Sequence, residues 1–265
     1  MKHGFTLVEL SIVLVIIGLL IGGILVGQSL IESAKISTVV RAMQQYDIAV
    51  SSFRSKYRNL PGDSSLFTQQ GNNNGRINYT CNTAWGSSIW DEAVNFWVHI
   101  QQGGFVPANG STFTMTTSGA GLVSSGTNIN VPALEFSEKA QIIAMPYNCP
   151  YYTNPKQYQT TVLTDNHFLI SNKLQTFVIG GTALGSVVNP IFTPAEAASI
   201  DSKMDDGKPA LGSVVGTLMD GTNPPVPGVT SCVKPNYNNI NTDYDLTKTG
   251  AQCELSVLML SQTGK

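Results

Sequence analysis

The chain opens with an almost unbroken apolar run. Residues 5–26 are apolar apart from Thr6, Glu9 and Ser11. A helix rises about 1.5 Å per residue, so this run is long enough to cross a hydrocarbon layer of about 30 Å. Because Lys2 precedes the run, we expect the N-terminus to stay in the cytoplasm and the rest of the chain to face outward. The pattern predicts a membrane-spanning helix over residues 5–28.

Beyond residue 28 the apolar positions narrow to one stripe. They recur at alternating spacings of four and three residues, with polar residues such as Arg41 and Gln44 between them. This period predicts that the helix continues over residues 29–60 as an amphipathic half. We expect it to pack on a sheet of the same chain, with a short coiled coil as the alternative, and to end before Pro61. The stripe consists of Val39, Met43, Tyr46, Val50, Phe53 and Tyr57.

Residues 61–265 show the patterns of a globular head. Ser88 and Asp91 form a capping-box pattern that predicts a helix ending at Gln102, with Trp90, Val94 and Trp97 inward. Thr193 and Glu196 predict a second helix that runs to about Asp206. Strand patterns lie at 112–117, 160–163, 167–171, 175–179, 213–219 and 254–261. The predicted fold class is α+β: a long N-terminal α-helix packed on an antiparallel β-sheet head.

Composition excludes several classes of function. Charged residues make up 12% of the protein, the net charge is -2, and no Lys/Arg cluster predicts a nucleic-acid site. The three histidines, His3, His99 and His167, lie beside no nucleophile motif, and no phosphate loop is present. We therefore predict neither an enzyme nor a resident cofactor.

The four cysteines all follow the apolar run, and none forms a C-x-x-C pair. An even number of separated cysteines outside the cytoplasm predicts two disulfides. Three pairings are possible, of which we favour Cys232–Cys253 with Cys81–Cys149. The alternative is buried free thiols.

Glu9 is the residue that a simple membrane anchor does not explain. A carboxylate within a membrane helix costs about 2.5–3.5 kcal/mol on insertion scales and usually has a partner. Glu9 either reaches back to the interface or meets a positive charge from a neighbouring subunit. If the protein is cut after Gly4, the new α-amino group of Phe5 is such a charge.

Two further groups of residues have alternative interpretations. The pairs Gly18/Gly22 and Gly23/Gly27 have the G-x-x-x-G spacing that allows close helix packing, or they merely soften the helix. Three carboxylates lie at the end of the second predicted helix, where the helix dipole disfavours negative charge. They either bind a calcium ion, remain solvated, or pair with a Lys or Arg side chain. They belong to Asp201, Asp205 and Asp206. The Asn-rich loop 71–77 has no carboxylate, and we predict that it binds no metal.

The string Gly4-Phe5-Thr6-Leu7-Val8-Glu9-Leu10 resembles the processing motif of type IV prepilins and type II secretion pseudopilins. The resemblance implies that a prepilin peptidase removes residues 1–4 as a leader and that Phe5 is N-methylated. It also implies that Glu9, the fifth residue of the mature protein, pairs with the N-terminus of an adjacent subunit.

The resemblance further implies partners and a location. The partners are homologous pilin subunits, the peptidase, the inner-membrane assembly platform and the membrane itself. The protein would wait in the bacterial inner membrane with its head, residues 61–265, in the periplasm, and then enter a filament. We expect a subunit of a type IV pilus-like filament. The alternatives are a type II secretion pseudopilin in a periplasmic piston and a membrane-anchored binding domain that never polymerises.

Overall fold

The computed structural model describes nine stretches of the sequence: residues 6–67, 71–77, 91–105, 133–134, 137–145, 166–172, 190–217, 232–234 and 242–259. In sequence order its elements are α1 (Leu7–Tyr57), α2 (Asp91–Gln102), β1 (Ala133–Leu134), β2 (Ser137–Met145), β3 (His167–Asn172), α3 (Pro194–Met204), β4 (Val214–Thr217) and β5 (Glu254–Leu258). The predicted strands at 112–117, 160–163 and 175–179 lie outside the described residues, as do Gly4, Phe5, Trp90, Cys81 and Cys149.

Helix α1 is a single helix of 51 residues, as the two apolar patterns predict. It ends at Tyr57 because Arg58 adopts a left-handed conformation (φ 62°) and donates its backbone N–H to the carbonyl of Arg54. The predicted stripe is buried from Val39 to Phe53, whereas Tyr57 in the last turn is only half-buried. The helix thus packs one face on the head, although only in its second half.

The sheet has five strands in the order β1-β2-β3-β5-β4, and every neighbouring pair is antiparallel. The predicted α+β class is therefore confirmed. The sequence patterns predict no strand at β2, and this omission is wrong. The inward side chains of β2 include the small Ala140 and Ala144 on either side of Ile142. Small residues weaken the period-two signal that marks a half-buried strand.

Aromatic side chains join α1 and α2 to the sheet. The ring of Tyr46 on α1 lies 5.0 Å from that of Trp97 on α2, edge to face. Trp97 in turn stacks on Phe168 of β3, with centroids 5.9 Å apart. The inward position predicted for Trp97 is confirmed, while the side chain of Val94 lies outside the description. These contacts place the hydrophobic core between the helices and the sheet.

The loop that follows α1 is anchored on α2. Gly62 has a φ of +83°, and a Cβ there would lie 2.1 Å from the carbonyl oxygen of Glu92, so only glycine fits. Its backbone N–H donates to Nδ1 of the buried His99 at 2.9 Å. The ring of Phe67 stacks on His99 with centroids 4.6 Å apart. His99 therefore has a structural role: it fixes the loop.

Helix α3 begins as predicted but ends earlier. Thr193 and Glu196 form the predicted capping box, with Pro194 in the first turn. The helix stops at Met204, so the predicted end near Asp206 is wrong. The carboxylate of Asp205 accepts backbone N–H groups from the segment leading into β4, and its backbone leaves the helical conformation (φ -149°). A contact with a distant segment thus ends the helix, and a local pattern does not report it.

Candidate functional site

The first half of α1 exposes its apolar side chains on every side. Each Leu, Ile and Val from Leu7 to Ile31 is exposed, ranging from 46% at Ile17 to 89% at Leu7. Burial against the head begins only at Ile36. Among the described residues, α1 is the one helix long and apolar enough to cross a membrane. We call residues 7–31 the exposed half of α1. Its side chains need lipid, or other copies of the same surface, to leave water.

Glu9 lies at the start of this half and forms a capping box with Thr6. Its Oε2 accepts hydrogen bonds from the backbone N–H and the hydroxyl of Thr6, both at 2.8 Å. The Thr6 hydroxyl in turn accepts the N–H of Glu9 at 3.3 Å. The sequence predictions missed this box, although the pattern Thr-x-x-Glu is the signal for it. Through these hydrogen bonds within the protein, Glu9 stabilises the start of α1.

The four glycines of the exposed half have open surroundings. Apart from the adjacent helix backbone, no atom lies within 4 Å of the position that a Cβ would occupy at Gly18, Gly22, Gly23 or Gly27. Contacts within the protein therefore do not require glycine at these positions. Their spacing leaves two shallow grooves on the helix surface where a second helix can approach closely.

A partly buried ion pair marks the point where α1 meets the head. Nζ of Lys35 lies 2.6 Å from Oε1 of Glu196, and both side chains are largely buried. The other oxygen of Glu196 caps α3 by accepting the backbone N–H of Thr193. Lys35 also lies over the ring of Phe192, 5.9 Å from its centroid. This cluster ties α1 to α3 just beyond the exposed half.

The three aspartates predicted as calcium candidates lie together after α3. One carboxylate oxygen from each of Asp201, Asp205 and Asp206 lies within 4.8 Å of the others. Oδ2 of Asp205 accepts the backbone N–H groups of Ser213 and Val214. Backbone N–H groups of the protein thus already bind one of the carboxylate oxygens that calcium would need as ligands. Calcium stays one of the three alternatives that the sequence leaves for these aspartates.

Asp201 is the buried member of this cluster. Its Oδ2 accepts the hydroxyl of Tyr244 at 2.9 Å, and its Oδ1 accepts the N–H of Gly207 at 3.2 Å. Burial raises the pKa of Asp201 to about 7, and the charges of Asp206 and Asp205 add to the rise, whereas the two hydrogen bonds oppose it. Burial also raises the pKa of Tyr244 well above its ordinary value, so its hydroxyl stays protonated.

One predicted disulfide is present. Cys232 and Cys253 are bonded, with their Cα atoms 4.9 Å apart. The bond joins the segment before Tyr244 to the start of β5, close to Phe192, which pairs with Cys253 in an isolated bridge. The second predicted pair, Cys81–Cys149, lies outside the described residues.

Comparison with known proteins concerns the N-terminus. Residues 1–25 match the family model described as the prokaryotic N-terminal methylation motif. This is the prepilin-type cleavage and methylation motif, so the resemblance that the sequence suggests is confirmed for this segment. The match supports a type IV pilin or pseudopilin, whose motif implies processing by prepilin peptidase and assembly with other pilin subunits. No curated protein and no solved structure matches the sequence.

Proposed function

We propose that the protein is a structural subunit of a type IV pilus-like filament, cut after Gly4 and assembled through the exposed half of α1. The observation that carries this proposal is the exposure of every Leu, Ile and Val between Leu7 and Ile31. The burial of one such side chain is favourable by about 1.5–3 kcal/mol. A helix with this surface is stable in a membrane before assembly and among identical helices afterwards.

Glu9 guides a new subunit into register. In the low dielectric of the filament core its carboxylate attracts the Phe5 amine of a neighbour much more strongly than in water. Both Thr6 bonds use Oε2 of Glu9, so Oε1 can accept from the neighbour while the capping box remains. The same residue thereby stabilises its own helix and recognises another subunit.

The glycine grooves set how closely neighbouring helices approach. Because no atom of the subunit fills the space beside Gly18 and Gly22, a neighbouring helix can enter there. Close backbone contact adds van der Waals packing, which is the main attraction between helices inside a membrane. Extraction from the membrane needs energy from a separate cytoplasmic ATPase, because the sequence contains no phosphate loop.

A type II secretion pseudopilin is the second candidate, because the N-terminal motif is common to both systems. The Asn- and Thr-rich composition of the head favours a surface-exposed filament. Shearing the cells and collecting long extracellular fibres separates the two. The proposal expects the protein in those fibres, whereas its confinement to the periplasm would support the secretion piston. A protein that stays in the membrane without polymerising would overturn both.

Mass spectrometry of the mature N-terminus tests the first step. We expect a polypeptide that begins at N-methylated Phe5. The variant Gly4→Val provides the control, because a branched residue before the cut should leave the leader in place. The variant Ser11→Ala, within the same apolar run, should be processed normally. A wild-type protein that retains Met1 would contradict the proposal.

A further inference from the structure

The loop after α1 contains an exposed Asn–Gly pair, Asn74–Gly75. In such a pair the backbone nitrogen of glycine can attack the amide carbon of the asparagine side group, because glycine has no Cβ to hinder the approach. The new bond joins Gly75 N to Asn74 Cγ. The bond between Cγ and Nδ2 of Asn74 breaks, and ammonia leaves with the proton that the glycine nitrogen gives up. Water then opens the cyclic imide to aspartate or isoaspartate.

Asp63 binds the atoms that this reaction must move. Its Oδ2 accepts the N–H of Gly75 at 2.8 Å, and its Oδ1 accepts the N–H of Asn74 at 3.0 Å. The attacking nitrogen is therefore engaged with a carboxylate that lies fully buried beneath the exposed loop. The negative charge of Asp63 also opposes deprotonation of that nitrogen and the anionic intermediate that follows.

The side chain of Asn74 is restrained as well. Its Oδ1 accepts the N–H of Arg76 at 2.9 Å. To reach the cyclic imide, the loop must break this hydrogen bond together with the one from Gly75 to Asp63. A hydrogen bond to a charged group contributes about 1.5–3 kcal/mol, which corresponds to a rate about ten- to a hundred-fold slower.

We propose that Asn74–Gly75 is a latent deamidation site and that the buried carboxylate of Asp63 holds it unreactive in the folded head. The inference concerns the head alone and does not depend on filament assembly.

The same arrangement occurs a second time, after α3. Gly207 donates its N–H to Oδ1 of the buried Asp201, and Lys208 donates its N–H to Oδ1 of Asp206. Gly207 and Gly75 have similar φ values of +74° and +80°. An Asp–Gly pair forms the same cyclic imide with loss of water in place of ammonia. A buried aspartate thus binds the glycine nitrogen at both exposed Asx–Gly turns among the described residues.

The test follows deamidation in the full-length protein held in detergent micelles. Trypsin cuts after Arg58 and Arg76 and releases peptide 59–76, in which mass spectrometry detects the change of Asn74 to aspartate or isoaspartate. Three samples are incubated at mildly alkaline pH: the native protein, the protein unfolded in urea, and the native variant Asp63→Asn. Asparagine at position 63 keeps the shape but removes the charge and one carboxylate acceptor.

We expect native Asn74 to deamidate about ten-fold or more slowly than in urea, and Asp63→Asn to recover most of that rate. The control Ser65→Ala removes the hydrogen bond that Asn73 donates to the Ser65 hydroxyl but keeps the contacts of Asp63. This variant creates no new Asn–Gly pair, and Asn74 should still deamidate slowly in it. Equal rates in the native and unfolded wild-type protein would overturn the proposal. So would equal acceleration by both variants, or no effect of Asp63→Asn in a folded head.

Hydrogen–deuterium exchange of the wild-type protein provides a second test, which is needed if Asp63→Asn does not fold. In the native wild-type protein the amide of Gly75 should exchange at least about ten-fold more slowly than in urea, although the residue is exposed. An amide that exchanges equally fast in both states would show that Asp63 does not hold it, and the proposal would fail.

Discussion

The two halves of α1 differ in where their apolar side chains lie. From Leu7 to Ile31 they surround the helix and are exposed, whereas from Ile36 to Phe53 most of them form one stripe that is buried on the head, with Ile48 exposed. The backbone does not change between them, since a helix satisfies its hydrogen bonds internally in lipid and on protein alike. The side-chain pattern alone therefore decides that the second half needs the head and the first half needs a membrane or a filament.

The strongest test of this contrast is the single carboxylate of the exposed half. We expect Glu9→Gln to reduce filament yield by about a hundred-fold or more, since an unpaired charge in low dielectric costs about 3–5 kcal/mol. Glutamine keeps an oxygen for the N–H and hydroxyl of Thr6, so a loss of assembly would report the charge and not the capping box. Filaments are counted in the sheared fraction by electron microscopy.

The control for Glu9→Gln is Glu32→Gln. Glu32 is exposed on the same helix just beyond the apolar run, and its variant should assemble normally. Both variant proteins should remain in the membrane fraction at wild-type amounts. Normal filaments from Glu9→Gln would contradict charge pairing as the basis of assembly.

Truncation of one side chain in each half of α1 should affect the stability of the head very differently. Phe53 is fully buried beneath the head, and Phe53→Ala should lower the free energy of unfolding of the head by about 3–5 kcal/mol. Ile17 is exposed, and Ile17→Ala should change it by less than about 0.5 kcal/mol. Urea unfolding in micelles, followed by tryptophan fluorescence, measures both. A comparable loss from Ile17→Ala would show that the exposed half also contacts the head.

Local sequence patterns predicted α1 well, because its first half is an unbroken apolar run and its second half carries an apolar stripe of helical period. The start of α3 was also predicted, because the capping box of Thr193 and Glu196 lies within four consecutive residues. The capping box of Thr6 and Glu9 has the same sequence pattern. The cost of a carboxylate in the membrane, however, led to the interpretation that Glu9 pairs with a group outside its own helix. Structural features that depend on residues close together in the sequence could thus be predicted from it.

Apart from the Cys232–Cys253 disulfide, side-chain contacts between distant segments were not predicted. Lys35 and Glu196 are 161 residues apart, and no local pattern pairs them. Asp63 lies in a Pro-Gly-Asp turn, where an aspartate is ordinarily solvated, and its full burial follows from the loop that folds over it. The early end of α3 likewise depends on the backbone donors of Ser213 and Val214 at the start of β4. These features arise from tertiary packing, which one sequence does not report.

The head should respond to pH through Asp201. Its pKa is raised in the folded protein to about 7 from the ordinary value of 3.8, so the folded state holds a proton that the unfolded state releases. The contribution of Asp201 to the free energy of unfolding is therefore fully present below about pH 4 and is lost as the pH rises to about 7. A rise of this size corresponds to about 4 kcal/mol at most, and solvent screening beside the exposed Asp205 and Asp206 reduces it to the order of 2 kcal/mol.

Asp201→Asn tests this pH dependence. Asparagine cannot ionise but still offers an oxygen to Tyr244, so the free energy of unfolding should lose its fall between about pH 4 and 7. The exposed Asp243, whose pKa is lowered by Lys208, contributes stability that is lost only as the pH falls below its ordinary range. Asp243→Asn therefore serves as the control and should leave the fall intact. An unchanged slope in Asp201→Asn would show that another group causes it.

The smallest effect is expected at the ion pair that joins α1 to the head. Lys35→Met keeps the apolar stem over Phe192 but leaves Glu196 without its cation, and it should cost about 1 kcal/mol in urea unfolding. The exposed pair of Lys208 and Asp243 is the matched control, and Lys208→Met should lower the free energy of unfolding less than Lys35→Met does. Salt should weaken the exposed pair more than the partly buried one, because solvent screens exposed charges more strongly. Equal costs for the two variants would mean that the Lys35 pair adds nothing beyond an ordinary surface contact, and that the stripe from Val39 onward alone holds α1 on the head.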